Sequence, residues 1–280
     1  MKRELLSIYG PLSINSYGVA IVIGILLFLF LIRLHPKAVK LNLYMHITDI
    51  LLISILAGII GGRLLYIISE PEAEASLFGF LSFWDGGFSI LGSILAIIPT
   101  LAYYLNRLQI PVLPCLDLLA LHAPLLQSIS RLGCFFAGCC YGCPVNNTWG
   151  LIYTDPQSMA PLHVSLHPTQ LYSAITLLVI FLFLYCIAQK IFTKPGQLLS
   201  VYLLLVGMER FSIDFWRADR IFYKIPSWLP FAADNLSVNQ LISLCIIVVA
   251  TALFLYLSFK KNTINLENQI NKNNHVCTKK

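Results

Sequence analysis

Seven separate stretches of predominantly apolar residues constrain this chain more than any single motif. Their approximate cores are Ser16–Leu34, Thr48–Ile68, Gly87–Tyr104, Leu116–Ala137, Thr169–Ala188, Gln197–Phe215 and Val238–Phe259. Each approaches the ~20 residues that a helix needs to cross the hydrocarbon core of a bilayer. In that core every backbone N–H and C=O must be satisfied within its own segment, so stretches of this length fold as helices. With 58% hydrophobic and 11% charged residues in 280, a soluble globule has no means of hiding the apolar surface. The sequence predicts an all-α, polytopic membrane bundle of about seven transmembrane helices. Residues 1–259 are expected to form the membrane domain. The long polar, proline- and aromatic-bearing loop from about 140 to 168 is expected to form a small cap. The Asn/Lys-rich tail, 260–280, lacks the apolar content to order itself. The opening MKRELLSIYGPL is too short and proline-broken to be a cleavable signal peptide.

The net charge of +6 is spread through loops and not gathered in a Lys/Arg run interleaved with aromatics. The electrostatic partner expected is therefore anionic membrane lipid, and no nucleic acid. Arg33, Lys37, Lys40, Arg107, Lys190, Lys194 and the five tail lysines (Lys260, Lys261, Lys272, Lys279, Lys280) fall on one side of the predicted membrane. Lys2, Arg3, Arg217, Arg220 and Lys224 fall on the other. The positive-inside rule places the first side in the cytoplasm, with the N-terminus and the cap outside. In a bacterium this is a multi-pass protein of the inner (cytoplasmic) membrane with its cap in the periplasm.

Three arginines, Arg63, Arg131 and Arg210, sit at or inside the outer ends of predicted spans. An arginine at membrane depth is costly and is usually kept for a task, so these three point to the phosphates of the outer leaflet. Arg210, Asp214 and Arg217 share a helix face by spacing, as an arginine–carboxylate–arginine ladder. That ladder reads either as a ligand site or as a self-satisfied ion pair, and Glu209 lies off its face, placed to pair with another helix. Gly58 and Gly62 have the small-xxx-small spacing of close helix packing, with Gly61 beside them. In WDGGFSILG, Gly86 and Gly87 precede a span, where backbone N–H groups and the helix dipole favour an anion. Tyr17 suits an interfacial aromatic anchor.

The run RLGCFFAGCCYGCP, Arg131 to Pro144, carries four of the eight cysteines. Cys139 and Cys143 would be an i,i+4 pair if the helix continued. A disulfide on the oxidising side, small packing residues and a reactive thiol beside Arg131 all remain open. A metal site would want four thiolates, or thiolates plus the nearby imidazoles of His163 and His167, and the spacing matches no zinc pattern, so neither metal nor cofactor is expected. Pro168 makes His167 a turn residue before a helix start.

Taken in order, SYG, GGRLLY, FWDGGFS, SRLGCFFAGCCYG, LHPTQLY and G-x-x-RFSIDFWRAD resemble the prolipoprotein diacylglyceryl transferase family from Tyr17 to Arg217. The resemblance implies transfer of a diacylglyceryl group from phosphatidylglycerol to the lipobox cysteine thiol of a prolipoprotein signal peptide, with glycerol phosphate released. It implies catalytic roles for Arg131, Arg210, Tyr17 and Asp214, the last positioning Arg210. It implies substrate contacts for Arg63, Gly86, Gly87, Gly133, Gly142, His167, Gln170, Tyr172 and Arg217. The chain departs from the family's usual residues at Leu91, Cys134, Cys139, Leu166 and Ser173. Leu91 replaces a histidine, so the base that ionises the incoming thiol is unassigned. The competing readings are a diverged paralogue that binds an anionic lipid or modifies another acceptor, and a membrane thiol or metal-binding protein.

Overall fold

The computed structural model describes residues 4–9, 12–41, 43–69, 90–146, 150–220 and 236–259. Gly86, Gly87 and the rest of the FWDGGFS turn lie outside them, as do the side chain of Leu91 and the 260–280 tail. The chain is helical where its apolar stretches predict. It opens with an antiparallel hairpin, β1 (Glu4–Tyr9) and β2 (Leu12–Asn15), which leads directly into α1 (Ser16–Leu34). A short α2 (Pro36–Lys40) follows, its start fixed by Pro36 and by the His35 imidazole accepting from the Lys37 N–H at 3.2 Å. Then come α3 (Leu43–Ser69), α4 (Ile90–Arg107) and α5 (Val112–Ala137). After the cap, α6 (Thr169–Phe183) continues through a π turn, Leu184–Ala188, to Ile191. The last two helices are α7 (Gln197–Asp214) and α8 (Val238–Phe259).

Five of these helices are long and apolar enough to cross a membrane: Ser16–Leu34, Leu43–Ile68, Val112–Ala137, Thr169–Ile191 and Val238–Phe259. This is a multi-pass membrane protein. Its apolar side chains face outward as readily as inward. Val22, Ile23, Leu26 and Phe30 on α1, and Val248, Val249 and Phe259 on α8, are all exposed. In water such surfaces would aggregate, whereas lipid tails solvate them. The two remaining predicted spans, α4 and α7, are also helices; α7 carries Glu209, Arg210 and Asp214.

The chain divides into two compact units, one of residues 26–119 and the other of residues 1–25 with 120–280. In the first, α3 and α4 approach backbone to backbone. A Cβ on Gly61 would lie 2.3 Å from Ala96 Cβ and 2.5 Å from the Gly92 carbonyl oxygen. Ser93 Oγ donates to the Gly58 carbonyl at 2.9 Å beside that contact. The small-residue face thus centres on Gly61 and Gly92. In a bilayer no hydrophobic force drives helices together, so close contact of this kind is what holds such a pair.

In the second unit α7 packs on α6 and α8. Lys194 Nζ donates to the Ser258 carbonyl at 2.6 Å, and Gln197 Nε2 to Ser258 Oγ at 3.0 Å, tying the start of α7 to the end of α8. The segment between α5 and α6 is ordered where it is described. It includes a two-residue ladder, β3 (Leu151–Ile152) with β4 (Ser165–Leu166), over a small core of Tyr153, Ala160 and Leu166.

Gly61→Ala should destabilise the protein by about 1–3 kcal/mol, because the added methyl meets backbone that has no way to yield. Thermal unfolding in detergent checks it. Gly18→Ala is the control: nothing lies within 4 Å of its Cβ position, and the gain in helix propensity should leave stability equal or slightly higher.

Candidate functional site

Within the unit of residues 1–25 and 120–280, the ends of α5, α6 and α7 are joined by main chain. Gly142 N donates to the His167 carbonyl at 3.0 Å, Cys143 N to the Trp216 carbonyl at 2.8 Å, and His167 N to the Cys143 carbonyl at 3.1 Å. Ala218 N donates to the Tyr141 carbonyl at 3.2 Å, and Gly142 pairs with Arg217 as an antiparallel bridge. A side chain at Gly142 would meet Trp216 O at 2.7 Å and His167 O at 2.8 Å, so only glycine allows three segments to converge there. This stitch places the RLGCFFAGCCYG, LHPTQLY and RFSIDFWRAD motifs at one point.

The turn that makes it possible follows α5. The helix stops at Ala137, and Gly138 adopts φ +73°. A Cβ there would fall 2.0 Å from Ser158 Oγ. Cys140 also takes a left-handed conformation, φ +59°, which costs a residue with a Cβ ~1–2 kcal/mol. It is held by Thr169 Oγ1, which donates to its carbonyl at 2.7 Å. Because the helix ends, Cys139 and Cys143 do not form the i,i+4 pair that continuation would have made.

The chain reversal has a different consequence. Cys134, from the last turn of α5, meets Cys139 and Cys140, and their three Sγ atoms lie within 4.8 Å of one another. All seven cysteines of the described residues carry free thiols. Hydrogen bonds from the Cys134 and Cys139 thiols, then the Arg217 and Arg131 charges, hold the Cys140 thiol well below its usual range, although burial opposes them. The Cys139 thiol is correspondingly raised. Cys143 points away from the trio, with Sγ donating to the Arg217 carbonyl at 3.4 Å. His163 is exposed and stands outside the sulfur cluster.

Two guanidinium groups, Arg131 and Arg217, stand beside the sulfurs, and a third, Arg210, lies near both of them. Arg131 is half-buried, and its Nη1 lies 3.9 Å from Cys140 Sγ. Arg210 lies within electrostatic reach of Arg217, Arg131, Asp214 and Glu209. Arg217 is buried and holds Asp219 in a bidentate pair through Nε, at 2.7 Å, and Nη2. Although burial penalises its charge, Asp219 keeps the Arg217 pKa raised.

The predicted Arg210–Asp214–Arg217 ladder is therefore not what forms. The helix ends at Asp214, and Arg217 turns off its face into the stitch. Asp214, fully buried, accepts from Ser237 Oγ and from Asn239 Nδ2 at 3.3 Å, with Arg220 Nε at 3.7 Å. Among the described residues, Arg131 and Arg210 stand in no ion pair.

Other expected residues fall into place around this centre. Gly133 lets α5 approach α1, since a Cβ would lie 2.9 Å from Ala20 Cβ and 3.3 Å from Tyr17 Cα. Tyr17 shares a hydrogen bond with Ser130 and feels the charges of Cys134, Cys139 and Cys140. Gln170 Nε2 donates to the Cys139 carbonyl at 2.8 Å; its Oε1, fully buried, has no partner among the described residues. His167 Nδ1 and Tyr172 OH are 3.4 Å apart, with the rings edge to face. Arg63 belongs to the other unit, where it is buried with its guanidinium 5.6 Å over the Tyr66 ring.

Three sets of contacts have partners that spacing along the sequence does not name. Glu209 is buried and accepts a hydrogen bond from Ser173 of α6, supplying a carboxylate across the helix interface. Tyr153 reaches down from the cap, its OH donating to the Phe135 carbonyl at 3.1 Å and lying 3.3 Å from Gln170 Nε2. The third is the sulfur trio itself.

A family model described as prolipoprotein diacylglyceryl transferase matches residues 3–256. The chain is similar to the phosphatidylglycerol–prolipoprotein diacylglyceryl transferase of Clostridium tetani, at 33% identity over 93% of this chain and 100% of the relative. It resembles a second such transferase from Clostridium perfringens at 34% identity over 78% of this chain and 84% of that protein. The Thermotoga maritima transferase is 28% identical over 89% of this chain and 82% of its own length.

Burial pushes the Tyr153 phenol from 10.0 up to about 12. A raised pKa means that its contribution is complete below the unfolded value of 10.0 and is lost as pH rises toward about 12. Tyr153→Phe should cost about 1 kcal/mol at neutral pH through the lost bond to Phe135. It should also flatten the alkaline loss of stability between those two values. Melting temperatures across pH, wild type against variant, test both halves.

Proposed function

The chain belongs to the prolipoprotein diacylglyceryl transferase family, and we propose that the cluster at the ends of α5, α6 and α7 carries out that family's reaction. The substrate is phosphatidylglycerol. Its diacylglyceryl group passes to the lipobox cysteine thiol of a prolipoprotein signal peptide, which forms a thioether and releases glycerol phosphate. Sulfur attacks a glyceryl carbon, and the carbon–oxygen bond to phosphate breaks with its electron pair left on the phosphate ester.

The observation that carries this assignment is the pair of half-buried guanidinium groups, Arg131 and Arg210, which stand in no ion pair among the described residues. Buried charge is normally paired, and a lipid phosphate supplies the missing anion. As the leaving group departs its negative charge grows, so fixed guanidinium groups in a water-poor site stabilise the transition state more than the ground state. Arg217, paired with Asp219, serves to hold the stitch and still adds field at the sulfurs. Asp214 positions the end of α7, and with it Arg210, through Ser237 and Asn239. Gly133, Gly142, His167, Gln170 and Tyr172 shape the pocket wall, with Tyr17 at its edge. Gln170 Oε1 offers an acceptor for a headgroup hydroxyl.

Both substrates are held by the membrane, which suits a site built into a helical bundle. The protein resides in the bacterial inner membrane, N-terminus and cap periplasmic, C-terminus cytoplasmic. Residues 1–259 form the transferase domain and 260–280 a cytoplasmic tail.

Complementation of cells depleted of their own transferase tests the assignment. The wild-type chain should restore lipidation of a reporter prolipoprotein. Arg131→Ala and Arg210→Ala should each reduce transfer by about 10²–10³-fold, with membrane insertion unchanged. Normal lipidation by both variants would remove the two arginines from the chemistry.

A further inference from the structure

The sulfur trio has a property that its spacing in sequence conceals. Cys134, Cys139 and Cys140 bring three Sγ atoms within 4.8 Å of one another. In a tetrahedral zinc thiolate site, Zn–S bonds of ~2.3 Å put the sulfurs ~3.8 Å apart, so small side-chain adjustments bring this trio to ligating distance. Among the described residues no fourth His, Cys, Asp or Glu atom joins the group. Three protein ligands with the fourth position open is the arrangement of catalytic zinc, whereas structural zinc is closed by four.

The surroundings suit an anionic metal centre. Zinc with three thiolates carries a net charge of about −1, and a fourth thiolate brings it to about −2. The Arg131 guanidinium, 3.9 Å from Cys140 Sγ, and the buried Arg217 offset that charge. Backbone bonds fix the ligands: Gln170 to the Cys139 carbonyl at 2.8 Å, Thr169 to the Cys140 carbonyl at 2.7 Å, and Cys139 N to the Cys134 carbonyl at 3.2 Å. Such supporting contacts orient ligands and tune affinity.

We propose that Cys134, Cys139 and Cys140 bind Zn²⁺, and that the open fourth position receives the lipobox cysteine thiol of the acceptor. The proposal rests on the transferase reading above and supplies the activation step that the reading lacks. Coordination takes the proton from the incoming thiol, since a metal-bound thiol is deprotonated outright, and that proton passes to solvent. The bound sulfur then gives an electron pair to the glyceryl carbon, and the carbon–oxygen bond breaks onto the phosphate ester. Glycerol phosphate leaves as a dianion beside Arg131. The product sulfur is a neutral thioether, a weak zinc ligand, so the lipidated peptide departs. No oxidant or reductant enters. A single guanidinium, Arg131, touches both the thiolate cluster and the phosphate, which couples nucleophile to leaving group.

The experiment uses the full-length chain purified in detergent under reducing conditions. Elemental analysis should find about one zinc per chain, retained through dialysis. Cys139→Ser and Cys140→Ser should each lose it, while Cys186→Ser, on the exposed face of α6, should keep it. In protein loaded with Co²⁺, sulfur-to-cobalt charge-transfer absorption should rise when a lipobox cysteine peptide is added, and stay constant with a peptide bearing serine instead. Wild-type protein that takes up neither Zn²⁺ nor Co²⁺ overturns the proposal without reference to any variant's folding. So does a Co²⁺ spectrum indifferent to the cysteine peptide, or a disulfide among the three cysteines of active protein. Transfer from phosphatidylglycerol is measured in parallel. Metal-free protein that still lipidates the peptide defeats the zinc site and leaves the transferase assignment intact. Zinc-loaded protein that coordinates the peptide but never consumes phosphatidylglycerol upholds the site and defeats the reaction assigned to it.

Discussion

The main-chain stitch at Gly142 is the contact on which the site depends. Helices in a membrane satisfy their own backbone, so nothing in α5, α6 or α7 alone obliges their ends to meet. What brings them together is the row of N–H···O=C bonds that joins Tyr141, Gly142 and Cys143 with His167, Trp216 and Ala218. Such bonds are worth more where water is scarce, because an unmade one leaves a desolvated polar group behind. They also need close approach, which only a glycine at 142 permits. Once the stitch is made, Arg131, the sulfur trio, Gln170, Arg210 and Arg217 acquire fixed relations.

Electrostatic partition within this centre divides its charged residues by task. Arg217 pairs with Asp219, and Asp214 is engaged by Ser237, Asn239 and Arg220. These pairs secure the segment after α7. Glu209 sits against Ser173 and offsets part of the arginine field without pairing with either Arg131 or Arg210 at ion-pair distance. The balance is a positive field in a partly desolvated place, directed at whatever anion enters. A thiolate cluster and a phosphate are both candidates for that field, and the proposed transfer chemistry would use both.

Several particulars show how far the sequence could be read. All seven apolar stretches are helices, and the cap folds where a polar, proline-bearing loop interrupts them. The embedded arginines at 131 and 210 were visible because charge in an apolar run is conspicuous. The ladder through Arg217 was misjudged because helical spacing was carried three residues past the point where α7 ends. The Ser173–Glu209 contact and the role of Tyr153 were invisible, since each joins residues far apart in the chain. The meeting of Cys134, Cys139 and Cys140 was not legible in their spacing, because one lies on a helix and two lie beyond a left-handed turn at Gly138.

By itself the sequence determined that this chain spans a membrane with helices, that arginines are sunk among them, and which family its motifs fit. Those properties are local: length, hydropathy and backbone self-satisfaction are settled segment by segment. Only the tertiary structure decided which sulfurs meet, which carboxylates are already engaged, and which guanidinium groups stand in no ion pair among the described residues. Those outcomes depend on where a helix stops and on how three helix ends are tied together, and neither is encoded in the spacing of residues along one helix.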